Sequence, residues 1–287
     1  MINETVYLQI PGRLLLVPYL PHHVGRYHEW MCRPELLAAT ESEPLSLQEE
    51  RENQVDWLQS LDKLTFIIYA CEESEKTVEP LQWSGASTME ENTSGALRER
   101  YTPTSVTNLL TGEVCQTERP LHTDVTCPEV LRDDQHRYVM VGDCNLFLLT
   151  AGDNNMEVAT SAEEEEEKRT FEVEVMIAET GYRRHGLAEG AVRLLITYAL
   201  TVLEGRLFLA KVLEDNAASI SLFENKLNFK EMKRVPVFHE IHLKRYLHAP
   251  TDVTEWIEES GHYSSSVPFL CGPYQYETSA NVAEPSA

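Results

Sequence analysis

The stretch from Phe171 to Leu203 constrains this chain most, because it reads as a strand, a short basic glycine turn and a long helix. Val173, Val175 and Ile177 alternate with Glu172, Glu174 and Met176, the period-two pattern of a strand. Ala191, Leu195, Tyr198 and Val202 then form a helical stripe with apolar neighbours, so this helix packs broadly against a sheet. Between strand and helix lies Arg183-Arg184-His185-Gly186-Leu187-Ala188. A glycine turn that opens a helix aims unpaired backbone N–H groups at one point, and the helix dipole makes that point attractive to phosphate. Two arginines and a histidine in this turn stand out in a chain of formal net charge −23. An anion is expected to dock here.

The same charge limits the partners. With 24 Lys+Arg against 47 Asp+Glu, the chain lacks the basic face that nucleic acid requires. A cationic acceptor or basic partner suits it better. The apolar run Leu14–Val17 is too short for a secretory leader and ends at Pro18, and no run approaches a membrane span. The six cysteines are scattered with no C-x-x-C pair, so reduced structural thiols and a cytoplasmic location are expected. Cys144, on an apolar strand, reads as a small core residue. His22, His23 and His28 sit together without a cysteine or carboxylate at ligand spacing, so no metal is expected.

The N-terminal part gives strands at Val6–Ile10 and Arg13–Tyr19 around the turn dipeptide Pro11-Gly12. A helix follows over His22–Cys32, ending ahead of Pro34. A second begins at Ser46, where Ser46-Leu47-Gln48-Glu49 has the form of a capping box. Leu64–Cys71 reads as a buried strand. From Glu72 to about Arg137 no period persists, and this polar stretch is expected to be a disordered surface insertion. Order resumes at Tyr138–Leu149, with a bulge or bend at Gly142-Asp143. The run Glu163–Glu167 reads as a solvated linker. Beyond the central unit come a strand at Leu207–Leu213, a helix capped by Asp215 or Asn216, and at least one strand within Phe229–Leu247 that places Val237, Ile241 and Leu243 on one face. The tail is expected to hold one helical turn near Trp256 and then disorder.

Two glutamates on one face of an apolar strand mark either a half-wet face or a catalytic base. A carboxylate in a partly desolvated cleft has its pKa raised toward neutrality, which suits it to accept a proton. Glu172 and Glu174 are the candidates.

Strand, then R-x-x-G-x-A (Arg183, Gly186, Ala188), then helix, resembles the acetyl-CoA signature of the GCN5-related N-acetyltransferases, the GNAT superfamily. Asn216-x-x-Ser219-x-x-Leu222-Phe223-x-x-x-Leu227-x-Phe229 resembles the family's second cofactor helix. The combination LLLVPY, RYHEWM, ESEPLSLQEE, EVEVMIAE and the R-x-x-G turn is similar to the N-acetyltransferase-9-like proteins. The resemblance implies an α/β fold with a mixed, splayed central sheet and helices on both faces. It implies one acetyltransferase domain over residues 1–71 and 138–247, with the insertion 72–137 and the tail 248–287 outside it. It further implies that the backbone of Met176, Ile177 and Ala178 pairs with the pantetheine arm of acetyl-CoA, with one N–H polarising the thioester carbonyl. The N–H groups of Arg183, Arg184, His185, Gly186, Leu187 and Ala188 would cradle the pyrophosphate, and Asn216 and Ser219 would contact the arm further along. Glu174 or Glu172 would be the base for direct transfer to a primary amine, that of a protein or peptide of cationic character. Phe223 stands where many members have a tyrosine that protonates the leaving thiolate, and phenylalanine has no proton to give. The alternative is therefore a catalytically weak acetyl-CoA-binding or protein-interaction module on the same fold.

Overall fold

Pro11-Gly12 turns the chain between β1 (Val6–Ile10) and β2 (Leu14–Pro18), which pair antiparallel with Leu8 opposite Leu16. In the computed structural model, the described residues are 6–72, 104–117, 122–123, 130–132, 136–149 and 169–274. All five β2 residues are buried because both sheet faces are covered: Leu14 and Leu16 join one core, Leu15 and Val17 the other. Next come α1 (Val24–Met31) and α2 (Pro34–Ala39). Pro34 does not merely follow α1; it opens α2 at the first helical position, where a missing N–H is harmless. α3 (Leu47–Gln59) starts on the expected capping box. Ser46 Oγ accepts the Glu49 N–H at 3.3 Å, and Glu49 Oε2 accepts the Ser46 N–H at 2.8 Å. β3 (Lys63–Glu72) carries the buried strand.

Within the insertion, β4 (Thr104–Asn108), β5 (Val114–Thr117), β6 (His122–Thr123) and β7 (Val130–Arg132) are ordered strands. β4 and β5 form a hairpin, and β7 pairs with the start of β8 (Arg137–Leu149). Such short strands, anchored by buried Val106, Val130 and Leu131, are too brief to give a period. The rest of the insertion and the Glu163–Glu167 run lie outside the described residues. The second half supplies β9 (Arg169–Ile177), α4 (Leu187–Val202), β10 (Gly205–Leu213), α5 (Ala217–Ser221), β11 (Lys230–Val235) and β12 (Glu240–Tyr246). Ile241 and Leu243 share a buried face as expected, but Val237 does not; it lies exposed in the β11–β12 turn.

The tail is more ordered than its composition indicates. α6 (Pro250–Tyr263) is a full helix started by Pro250 and by Asp252 Oδ2, which accepts the Ala249 N–H at 3.0 Å. After it, β13 (Leu270–Pro273) pairs with both β1 and β4. Trp256 anchors α6: it is fully buried, and its Nε1 donates to Thr197 Oγ1 at 3.0 Å.

The strands form one mixed sheet in the order β11-β12-β10-β9-β8-β3-β2-β1-β13-β4-β5, with β6 and β7 beside β8. Among the described strands only β9 and β10 pair in parallel. α4 covers one face, over a core that includes Leu16, Phe66, Phe171 and Leu195. α1 and α3 cover the other, over Tyr19, Tyr27, Trp30, Ile67 and Tyr69. The expected bulge in β8 is present: Ile68 pairs with Gly142 and Tyr69 with Met140, so Val141 is the extra residue.

At Gly142 the backbone of β9 comes so close that a Cβ would stand 2.0 Å from the Met176 carbonyl oxygen. Gly142→Ala should therefore force β8 and β9 apart and lower stability by about 3 kcal/mol, at the upper end of overpacking effects. Urea denaturation of the two proteins checks this.

Candidate active site

β9 and β10 are paired only from Arg169–Gly205 to Glu172–Leu209, after which they diverge. β10 stays on β12 as far as Leu213, and β9 stays on β8 as far as Ile177. A gap therefore opens beside the last residues of β9. The Ala178 N–H donates to Val141 O at 2.9 Å, so its backbone faces β8. By strand alternation the N–H and C=O of Ile177 face the gap, and those of Met176 face β8. Ala178 is committed twice, since its carbonyl also accepts from Arg33 Nη1 at 3.3 Å. Of the three residues expected to meet a pantetheine arm, only Ile177 presents its backbone to the gap. Its carbonyl accepts the Arg183 Nε–H at 2.8 Å.

The basic turn follows directly. Its first N–H is not available to a phosphate, because Arg183 N donates to Thr180 O at 3.2 Å. Arg184 and Gly186 take left-handed conformations, with φ of 66° and 77°. Gly186 caps α4 with no side-chain hydrogen bond, which leaves the N–H groups of the first turn pointing outward. Arg183, Arg184 and His185 are exposed around them, Ala188 is half-buried, and Leu187 is buried. The turn is braced from behind. Tyr263 OH donates to Gly186 O at 2.7 Å, and the Arg13 guanidinium lies 4.2 Å from the centre of the Tyr263 ring. Arg13 Nη1 also donates to Tyr263 O at 3.2 Å.

Glu179, which sequence reasoning missed, locks this region to α1. Its Oε1 accepts from Trp30 Nε1 at 2.6 Å, Arg26 Nη2 at 2.8 Å and Arg33 Nη2 at 3.3 Å. These hydrogen bonds and guanidinium charges hold its carboxyl below the usual range against the opposing effect of burial.

The two candidate bases separate clearly. Glu172 is buried and ion-paired to Lys211 at 2.7 Å, which removes it from the role of a free base. Glu174 faces the α1–α3 side of the sheet, opposite Asn145 of β8. Its side chain is exposed, yet neighbouring atoms displace part of the hydration of its carboxyl. That desolvation, together with the Glu172 charge, pushes its pKa up to about 7, while Lys63 and Lys211 pull the other way.

A second carboxyl stands close by. Asp143 is buried, and its pKa is raised to about 7 by desolvation and by the charges of Glu174 and Glu50, against a stabilising hydrogen bond from Asn145. The only sequence signal for it was an acid in the apolar run YVMVGDCNLFLL, which reads more simply as a bend.

Asn216 caps α5, its Oδ1 accepting the Ser219 N–H at 3.1 Å, so both residues have a structural task at the second cofactor helix. That helix continues as a wider turn, with Leu227 N donating to Leu222 O at 3.0 Å. Phe223 is buried edge-on against Phe229, 5.1 Å between ring centres. Asn228 takes φ of 54°, the left-handed conformation that asparagine tolerates. His23 accepts the Leu20 N–H on Nδ1 at 3.0 Å, and Cys144 is fully buried. No helix among the described residues is long and apolar enough to cross a membrane.

Because folding raises the Asp143 pKa, its contribution to stability is full below the ordinary aspartate range and is lost as pH rises through about 7. Asp143→Asn should flatten this decline. Urea midpoints from pH 4.5 to about 8 should converge between variant and wild type at the acid end and move in the variant's favour at the alkaline end.

Residues 116–229 match the model of the acetyltransferase (GNAT) domain. An N-acetyltransferase 9-like protein of Caenorhabditis briggsae is 33% identical over 84% of this chain and 85% of its own. The alpha/beta-tubulin-N-acetyltransferase 9 of Mus musculus is 31% identical over 93% of this chain and 81% of its own. The crystal structure of an uncharacterised protein from Bacillus halodurans shares the fold with a TM-score of 0.50, at 10% identity, over 88% of this chain and 94% of that one. The chain belongs to the N-acetyltransferase 9-like proteins, a group of GNAT acetyltransferases.

Proposed function

We propose that the chain transfers the acetyl group of acetyl-CoA to a primary amine of a protein or peptide, with Glu174 as the base. One observation carries this reading: the gap between β9 and β10 joins the uncapped start of α4 on one face to the Glu174 carboxyl on the other. The N–H groups of the α4 first turn, with Arg183, Arg184 and His185 around them, suit a pyrophosphate. Ile177 offers the gap its N–H, its carbonyl being held by Arg183 Nε, and that N–H is the donor for a thioester carbonyl. An acetyl group that enters from the α4 side reaches an acceptor that enters from the α1–α3 side.

The proton balance follows. Glu174 takes one proton from the acceptor ammonium, and the freed nitrogen attacks the thioester carbon. The carbon–sulfur bond then breaks. The second proton lost by the nitrogen ends on the sulfur, and the proton on Glu174 returns to solvent. Phe223 offers no proton to this last transfer.

An open cavity of about 530 Å³ supports a cationic acceptor. It lies at the far end of β10, lined by the acids Glu41, Glu214 and Asp215 together with Ala38, Leu213, Phe238 and His239. The relatives named as acting on α- and β-tubulin support a protein acceptor, and tubulin is the first to test. Phe223 favours the second reading, a binding module with little turnover. Acetyl-CoA binding without CoA release on tubulin, peptide or amine acceptors would establish that reading.

Calorimetry should show acetyl-CoA binding, and none at millimolar concentration would overturn the proposal. Gly186→Val should abolish that binding with the fold retained. The residue needs φ of 77°, and its Cβ would sit 3.1 Å from Arg13 Nη2. Glu174→Gln should bind acetyl-CoA normally and lose about a hundredfold in kcat at neutral pH, the low end of general-base effects. Its rate should recover at high pH, where the amine deprotonates unaided. Full activity at neutral pH would remove Glu174 from the role of base.

A further inference from the structure

Asp143 has an unusual setting for a buried acid. It stands next to the β8 bulge, on the face covered by α1 and α3, and is only 3% exposed. Asn145 Nδ2 donates to its Oδ2 at 3.0 Å, while its Oδ1 has no hydrogen-bond partner among the described residues. The other carboxylates around the gap are ion-paired: Glu172 with Lys211, and Glu179 with Arg26 and Arg33. Among the described residues Asp143 has no ion-pair partner and caps no helix. In the β8–β9 register it lies opposite Met176, and Asn145 lies opposite Glu174. Asp143 and Glu174 are therefore diagonal neighbours on one sheet face, a spacing at which cross-strand side chains interact. Asn145 pins the first and flanks the second.

We propose that Asp143 is a positioning residue for the acetyl transfer: it forms with Glu174 a carboxyl pair that holds one proton, the buried Asp143 keeping it and the water-facing Glu174 standing ready as carboxylate. The inference rests on the reading of Glu174 as base. Two carboxyls placed diagonally on one sheet face, one of them buried, feel each other's charge, so their titrations belong to the pair. The surroundings set the order of ionisation. From β3 and β10, Lys63 and Lys211 act on Glu174 and favour its charge. The charges that raise the proton affinity of Asp143 are those of Glu174 and of Glu50 on α3. Tyr27 of α1 and Tyr19 after β2 lie within its field, with His23 packed against Tyr19 and His28 acting on Glu50. Glu172 of β9 adds its charge beside Glu174. Glu174 thus ionises first. When Asp143 ionises at higher pH, the new charge beside Glu174 raises its affinity for a proton. Asp143 therefore strengthens the base as the medium becomes alkaline.

The test follows the two carboxyl carbons by ¹³C NMR in the ligand-free protein, in wild type, E174Q and D143N. The coupling is reciprocal. In E174Q the Asp143 midpoint should fall by about one pH unit, the scale at which two groups titrate as a pair. In D143N the two-step Glu174 curve of wild type should become one step. An Asp143 midpoint unchanged in E174Q overturns the proposal, and this arm leaves the buried position intact. Far-UV circular dichroism and acetyl-CoA calorimetry confirm that D143N is folded. In turnover, the wild-type to D143N ratio of kcat should grow several-fold from about pH 6 to about 8, the range in which Asp143 ionises and below that in which the amine deprotonates unaided. A ratio constant across pH means a merely structural role and overturns the proposal. Failure of the base reading is a separate result: E174Q would be fully active, whatever the NMR coupling shows.

Discussion

One backbone carbonyl fixes where the active site begins. Val141, the extra residue of the β8 bulge, accepts the N–H of both Ala178 and Glu179 at 2.9 and 3.1 Å. This double bond holds the end of β9 on β8 while β10 leaves toward β12. Gly142 makes the approach possible, since any side chain there would meet the β9 backbone. Glu179, pointed by the same geometry, then gathers Trp30, Arg26 and Arg33. The gap between the strands, the start of the basic turn and the position of α1 are set together.

Around that frame the charges are sorted by burial and by partner. A desolvated carboxylate is costly unless it is paired and hydrogen-bonded. Glu172 meets this condition through Lys211, and Glu179 through Arg26 and Arg33. Glu174 and Asp143 do not, and their raised proton affinity is the physical result. The four acids therefore divide into two held by cations and two that hold a proton more tightly than an ordinary carboxyl.

The central unit was legible because its signals are local. The alternation in β9, the glycine of the turn and the stripe of α4 each lie within one element, as does the Ser46 capping box. Glu179 and Asp143 were not legible because their importance comes from partners that are far away in sequence; Glu179 meets Trp30 across 149 positions. The resemblance implies backbone pairing for Met176, Ile177 and Ala178 alike, whereas which of them turns its N–H away from β8 depends on the β8–β9 register, which no local pattern carries. The tail misled for another reason. Its apolar run Val267–Cys271 is flanked by serines, glycine and proline, so only the open edge of β1 explains why Leu270–Pro273 is a strand.

The bracing of the glycine turn has a consequence for how the molecule is assembled. Arg13, in the first hairpin, reaches Tyr263 across 250 positions, and Tyr263 in turn holds Gly186. β1 likewise waits for β13 to cover its edge. Contacts of such separation form late and slowly, because the intervening loop must close before they repay its entropy. The first hairpin is completed only when α6 and β13 have packed on it. The basic glycine turn thus ties the first hairpin to α6, and its final shape depends on both.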